Sequence, residues 1–180
     1  MDYKGIVILE NIKLVKNIKC YNQEVRKEFR ETMANLLRHE KFNKLAGIAH
    51  HLKCTRLKHS VDVGYFSFYI AKLLGLDYAS AGKAALLHDL CFHHRAGFKH
   101  NMKMLRQHPK DALKNALDIC VLSEKERDII AKHMWLVATL RPPKSAEGVV
   151  VTLVDKYCAS KEFIGSIVKR NKYALKSARF

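Results

Sequence analysis

Glycine and proline are scarce in this chain, with eight and three residues among 180. Their scarcity favours long helices over many short strands joined by tight turns. The sequence also lacks internal repeats and low-complexity segments. Its length suits one domain with a substantial core. We therefore predict an all-α fold.

Paired cysteines and long apolar runs are also missing. The five cysteines are odd in number, far apart and without a CxxC pair: Cys20, Cys54, Cys91, Cys120 and Cys158. This distribution suits reduced thiols in a cytosolic protein better than a disulfide framework or a zinc knuckle. The apolar run over 5–9 is too short for a signal sequence or a membrane span. We expect a cytoplasmic protein that does not associate with membranes, as a monomer or a homodimer.

Acidic residues are few, at 17 against 33 basic ones, which gives a net charge of +16. Such a charge predicts anionic partners, among them phosphorylated small molecules and nucleic acid. A lysine-rich solvated surface explains the same composition. The charge alone therefore leaves both interpretations open.

Hydrophobic periodicity and capping residues predict a series of helices. Ser123 and Glu126 form a capping box, Asp77 is an N-cap and Gly75 is a helix stop. Pro109 suits the first turn of a helix. The predicted helices cover 23–39, 42–52, 55–75, 77–91, 109–120, 124–138 and 149–177, with a loop over 92–107. We divide the chain into an N-terminal helical extension, 1–40, and a helical core with a basic C-terminal helix, 41–180.

Three of these helices carry histidine or aspartate within apolar stripes. His59 begins an apolar face, His88 and Asp89 end an alanine-rich run, and Asp155 follows Leu153-Val154. Burying such groups without a partner costs several kcal/mol. Imidazole and carboxylate together suit a divalent transition metal or a magnesium-like ion. We predict that these four residues are metal ligands.

The same four residues, in this order, resemble the H…HD…D signature of the HD-domain metal-dependent phosphohydrolases. The segments that flank these residues also resemble those of the superfamily: Thr55-Arg56-Leu57-Lys58-His59-Ser60 and Leu86-Leu87-His88-Asp89. The resemblance covers roughly residues 40–165 and implies a helical bundle of the HD type. It also implies a divalent metal cofactor, with Mn, Fe, Co, Ni, Mg and Zn all possible.

Two further histidines match the places of second-metal ligands in this superfamily. In the HD-GYP cyclic dinucleotide phosphodiesterases and the HD-type diadenosine tetraphosphate hydrolases, extra histidines between the HD pair and the final Asp hold a second ion. His108 and His133 stand in the corresponding order, so the resemblance implies two ions bridged by Asp89. Alternatively, His108 caps a helix and His133 packs beside Trp135.

The resemblance implies hydrolysis of a phosphoester or phosphoanhydride in a small, nucleotide-like substrate by a metal-bound hydroxide, with Asp89 in a catalytic role. No GYP motif follows the HD pair, which argues against cyclic di-GMP. Arg56 and Lys58 are the first candidates for phosphate contacts and catalysis. Further candidate substrate contacts are His93, His94 and Lys132, followed by Arg95, His100 and Lys156.

Two alternatives remain open at this stage. Solvent-exposed side chains are the commoner explanation for the loop histidines, and we favour the same interpretation for His50 and His51, which precede the motif. The chain could also be a regulatory or nucleic-acid-binding protein on an HD fold, because its segment from Lys169 is basic. An aromatic-rich motif of the kind that stacks bases is missing from the sequence.

Overall fold

The structure, a computed structural model, describes residues 22–51, 54–92 and 102–177, without the side chains of His51 and 166–177. The described chain is all-α, as predicted, apart from one small hairpin. Its helices are α1 over 22–32, α2 Ala34–Arg38, α3 Glu40–Asn43, α4 Arg56–Leu73, α5 Tyr78–Leu87, α6 Met102–Leu117, α7 Glu124–Lys132 and α8 Ala146–Ser177. A 3₁₀ turn, Lys44–Gly47, precedes strands β1, Ala49–His51, and β2, Cys54–Thr55. No helix within the described ranges combines the length and apolarity that a membrane crossing requires.

Helices α4 and α5 form the centre of the core. A Cβ atom added to Gly64 on α4 would lie only 2.8 Å from the Leu86 side chain of α5, so this side chain packs directly against the α4 backbone. Ala81, Ala84 and Ala85 on α5 are fully buried. Small residues on facing helices thus fix the separation between the elements that carry His59 and His88.

Helix α1 packs on the same core. The Phe29 ring meets the Phe68 ring of α4 edge-on at 5.5 Å. Val25 and Met33 are buried as well. The described part of the predicted N-terminal extension is therefore continuous with the core. The division at residue 40 stays a prediction, and residues 1–21 lie outside the described ranges.

The helix boundaries predicted from Asp77, from Gly75 and from the capping box of Ser123 and Glu126 are confirmed. The Thr55 hydroxyl accepts from the Lys58 amide at 3.2 Å, and the Asp77 carboxylate accepts from the Ser80 amide at 3.0 Å. Both halves of the capping box between Ser123 and Glu126 form. Gly75 has a φ of 67°, the left-handed conformation that ends a helix. These boundaries depend on local hydrogen bonds, which the sequence specifies directly.

Two predicted helix boundaries near the motif are wrong. The helix predicted from 124 to 138 ends at Lys132, because the following chain turns and Leu136 has a left-handed φ of 70°. Helix α6 begins at Met102, so Pro109 lies in its interior and His108 is not at a helix start. Proline has no N–H, so the α6 backbone lacks the bond from residue 109 to the Leu105 carbonyl. Pro109 is buried, which favours its place in the helix.

Two boundaries nearer the N-terminus also differ from the prediction. The helix predicted over 23–39 is interrupted at Met33, where ψ is 10°. The helix predicted over 42–52 gives way to β1, which pairs antiparallel with β2. The Arg56 amide also donates to the Ile48 carbonyl at 2.8 Å. This pairing between separated residues overrides the helical pattern, and it brings His50 into the core.

Candidate metal centre

The structure brings all six predicted ligands into one cluster, in which five side chains are buried and His108 is partly exposed. His59 comes from α4 and Asp155 from α8, with 3.1 Å between Nε2 and Oδ1. His88 Nε2 lies 3.5 Å from the same oxygen. The His108 Nε2 atom lies 2.5 Å from Asp89 Oδ1. The His133 ring meets the rings of His88 and His108 with centroid distances of 5.0 and 5.2 Å.

His88 and His133 are oriented by the same local hydrogen bond to the backbone. Each is the C-cap residue of its helix, α5 or α7, with αR backbone angles. Each Nδ1 lies close to the carbonyl oxygen three residues earlier, at 2.6 Å for His88 and 2.7 Å for His133. A carbonyl can only accept, so Nδ1 carries the proton. The Nε2 lone pairs are therefore available to a metal.

The Nε2 atom of His133 gives the clearest indication of a ligand. The side chain is buried, and within the described ranges this nitrogen has no hydrogen-bond partner. Burial, together with the charges of His88 and His108, holds the pKa of His133 well below its usual range. A neutral imidazole with an unused, buried lone pair fits a divalent ion.

Arg56 is buried beneath the cluster at 1% exposure. Its Nε lies 3.1 Å from Asp89 Oδ2, and its Nη1 donates to the Cys91 carbonyl. The alternative of a solvated surface cation is therefore wrong for Arg56, and its role as a phosphate contact stays a prediction. Burial raises the pKa of Asp89, but the neighbouring His108, Arg56 and His50 outweigh burial and hold the pKa well below its usual range. Arg56 thus helps to keep Asp89 ionised.

Asp155 is held in a comparable way on the other side of the cluster. Lys156 Nζ lies 2.7 Å from Asp155 Oδ2 and donates to the His133 carbonyl at 2.9 Å. Burial raises the pKa of Asp155, but its contacts with His59 and His88 and the charge of Lys156 outweigh burial and hold the pKa well below its usual range. Both aspartates are therefore carboxylates, the form that binds a metal.

His59 balances the negative charge of the metal-free cluster. Burial lowers its pKa, but hydrogen bonds to Asp155 and Glu162 outweigh burial and raise the pKa to about 9. At neutral pH, the imidazolium of His59 joins Arg56 and Lys156 in facing the carboxylates of Asp89, Asp155 and Glu162. A metal ion that binds His59 must displace this proton.

We expect the metal-free protein to lose stability as the pH rises from about 6.5 to about 9. The folded-state pKa of His59 is raised above the value of 6.5 for a free histidine. Its contribution is therefore complete below pH 6.5 and is lost as the pH rises through 9. The loss is on the order of 3 kcal/mol. Urea unfolding across this range measures it, with His59→Gln as the control that removes the dependence. If the free energy of unfolding of the wild type is constant with pH, the raised pKa of His59 is wrong.

Two predicted substrate contacts, Lys58 and Lys132, pair with carboxylates outside the cluster. The Lys58 ammonium is exposed and pairs with Asp62. Lys132 pairs with Asp128 at 2.6 Å and lines a surface cleft of about 740 Å³ with three further cations: Arg106, Lys110 and Arg141. His93, His94, Arg95 and His100 lie outside the described residues, as do the side chains of the basic C-terminal segment.

Two residues of the cluster are not among the predicted ligands: Glu162 was not considered, and the expectation that His50 is solvent-exposed is wrong, because its side chain is buried. The Nε2 atom of His50 lies 3.6 Å from Asp89 Oδ2, and Glu162 contacts both His50 and His59. Glu162 follows Asp155 by seven residues, which is two helical turns and puts both side chains on the same face. This spacing could have predicted that Glu162 belongs to the cluster. No local signal marks His50, because its segment was predicted to be a helix.

The donor set consists of imidazole nitrogens and carboxylate oxygens, which suits a divalent transition metal. Ligand atoms of His59, His88 and Asp155 lie within 4.8 Å of one another, and so do those of His50, His59 and Glu162. The cluster could therefore hold metal. Comparisons of this chain with protein-family models, with curated proteins and with solved structures found no match.

Proposed function

We propose that this protein is a metal-dependent phosphohydrolase of the HD type. It would use two divalent ions to cleave a phosphoester or phosphoanhydride of a small, nucleotide-like substrate. One observation carries the proposal: a buried cluster in which imidazole nitrogens converge on Asp89 and Asp155. In it, the buried Nε2 of His133 has no hydrogen-bond partner among the residues that the structure describes. A core kept only for stability would not bury so many titratable groups.

The ligands would divide into two sets joined by Asp89. His59, His88 and Asp155 would hold one ion, and His108 and His133 the other. Bound divalent ions lower the pKa of water and neutralise charge on phosphoryl oxygens. The chain contributes orientation: backbone carbonyls fix the tautomers of His88 and His133, while Arg56 and Lys156 hold the two aspartates. Second-layer contacts of this kind strengthen metal binding.

A phosphorylated substrate is supported by the cationic cleft beside α6 and α7. Arg106, Lys110, Lys132 and Arg141 line it together with apolar side chains, including Leu105 and Met134. Cations attract phosphate, and apolar surface suits a base or another hydrophobic group. His108 and His133 belong to the same chain segments as these lining residues. The net charge of +16 also favours the binding of an anionic, phosphorylated substrate.

Metal content and phosphate release together test the proposal. Purified protein is loaded separately with Mn²⁺, Fe²⁺, Co²⁺, Ni²⁺, Mg²⁺ and Zn²⁺. It is then offered mononucleotides, dinucleoside polyphosphates, cyclic dinucleotides and guanosine tetraphosphate. We expect about two ions per chain and metal-dependent turnover of one substrate class. Protein that binds metal without hydrolysing any of these compounds would contradict the enzymatic proposal, and protein that binds none would contradict the metal centre.

A further inference from the structure

The Glu162 carboxylate lies between two imidazoles and contacts each with a different oxygen. Its Oε1 lies 3.1 Å from His59 Nδ1, and its Oε2 lies 3.1 Å from His50 Nδ1. The carboxylate is only 13% exposed. An ionised carboxylate can only accept hydrogen bonds, so both Nδ1 atoms carry protons. Glu162 therefore keeps a proton on Nδ1 of both histidines, which leaves Nε2 as the nitrogen that can bind a metal.

The two imidazoles also point in the same direction. Their rings stack with centroids 3.9 Å apart and an angle of 24° between the planes. Because both rings are anchored at Nδ1, both Nε2 atoms face the aspartates. The Nε2 of His59 lies 3.1 Å from Asp155 Oδ1, and that of His50 lies 3.6 Å from Asp89 Oδ2. His50 thus repeats the arrangement of His59 next to the other aspartate.

We propose that His50 is a seventh metal-ligating residue, adjacent to Asp89, and that Glu162 is the positioning residue for both His50 and His59. This inference rests on the proposed metal centre. In His88 and His133, a backbone carbonyl holds Nδ1 and leaves Nε2 directed at the cluster. In His50 and His59, the shared Glu162 carboxylate produces the same orientation. A carboxylate that accepts from a ligating histidine raises its basicity and fixes its ring.

A competing arrangement uses the same three residues differently. His50, His59 and Glu162 could hold an ion among themselves, since their ligand atoms lie within 4.8 Å of one another. His59 would then ligate through Nδ1, and Glu162 would be a ligand instead of an acceptor. The two arrangements predict different metal-bound nitrogens, so they can be distinguished.

Glu162→Gln tests the role of the carboxylate. An amide offers one acceptor oxygen and one donor NH₂, so it can satisfy only one Nδ1–H. The other histidine would place its proton on Nε2 and could not bind metal there. We expect Co²⁺ and Zn²⁺ affinity to fall about 10–100-fold, by isothermal titration with the metal alone. Glu147→Gln is the matched control on α8, because Glu147 is buried but pairs with Lys125 outside the cluster. Equal affinities for the two variants would overturn the positioning role.

Nitrogen NMR of ¹⁵N-histidine-labelled protein tests the ligand role without a substitution. On addition of Zn²⁺, the Nε2 resonance of His50 should shift as strongly as that of His59, while both Nδ1 atoms stay protonated. A His50 resonance that ignores Zn²⁺ would overturn the ligand role, and a shift at Nδ1 would establish the competing arrangement. Wild-type protein that binds Zn²⁺ with His50 unaffected contradicts this inference alone. Wild-type protein that binds no metal contradicts the proposed function as well.

Discussion

Substituting both residues of the central pair, His88→Ala with Asp89→Asn, is expected to abolish the binding of at least one metal ion. It should also lower phosphate release by about 10³-fold or more, since even one lost electrostatic contact to a transition state costs about 10²–10³-fold. The effect is large because Asp89 would serve both ions while His88 belongs to the set around Asp155. Asparagine is chosen because it keeps an oxygen for the buried Arg56. Elemental analysis and phosphate release measure the two effects.

A matched pair of substitutions controls for general damage. His39→Ala with Asp118→Asn removes the same residue types outside the cluster, where His39 caps α3 and Asp118 pairs with Lys41. This control should keep its metal content and turnover. The circular dichroism of both variants should show the same helix content. Unchanged metal content and hydrolysis in the His88/Asp89 variant would show that the site lies elsewhere.

Arg56→Met is expected to destabilise the metal-free protein by about 3–5 kcal/mol, because it leaves the buried carboxylate of Asp89 without its arginine. Lys58→Met, two residues along the same helix, should cost less than about 1 kcal/mol, since its pair with Asp62 is exposed. Both cations were predicted to contact phosphate, so this comparison separates two roles that the sequence could not. Urea unfolding in the presence of a chelator measures the difference.

Divalent metal provides the second half of the Arg56 experiment. An ion bound at Asp89 would replace part of the lost positive charge, so metal should restore stability to Arg56→Met more than to Lys58→Met. A substrate contact would give the opposite pattern, with stability unchanged and KM raised. If both variants unfold at the same urea concentration as the wild type, the buried ion pair is not a stabilising element of this fold.

The parts of the fold that follow from short-range rules could be predicted. Asp77 and the capping box of Ser123 fix helix starts through bonds to residues three positions away. Periodicity identified α4, and His59 in its apolar stripe is buried. The end of α7 could not be predicted, because Met134 and Ala138 are buried through turns instead of a helix, which preserves the apolar spacing. The start of α6 was missed because its first residues have little apolar periodicity.

The sequence by itself determined the helical class and the candidate ligands His59, His88, Asp89, His108, His133 and Asp155. Charged and imidazole side chains rarely occur in the apolar stripe of a helix, so they stand out before the packing partner of that stripe is known. Only the tertiary structure decided the positions of Arg56, His50 and Glu162. Arg56 is a buried partner of Asp89, and Glu162 aligns two histidines that are 112 and 103 residues away in the chain. Such roles depend on which atoms meet across helices, and no periodicity within one helix encodes that contact. The pair His88-Asp89 can therefore be identified from the sequence. The contacts of Arg56 and Glu162 that orient the surrounding side chains exist only in the packed bundle.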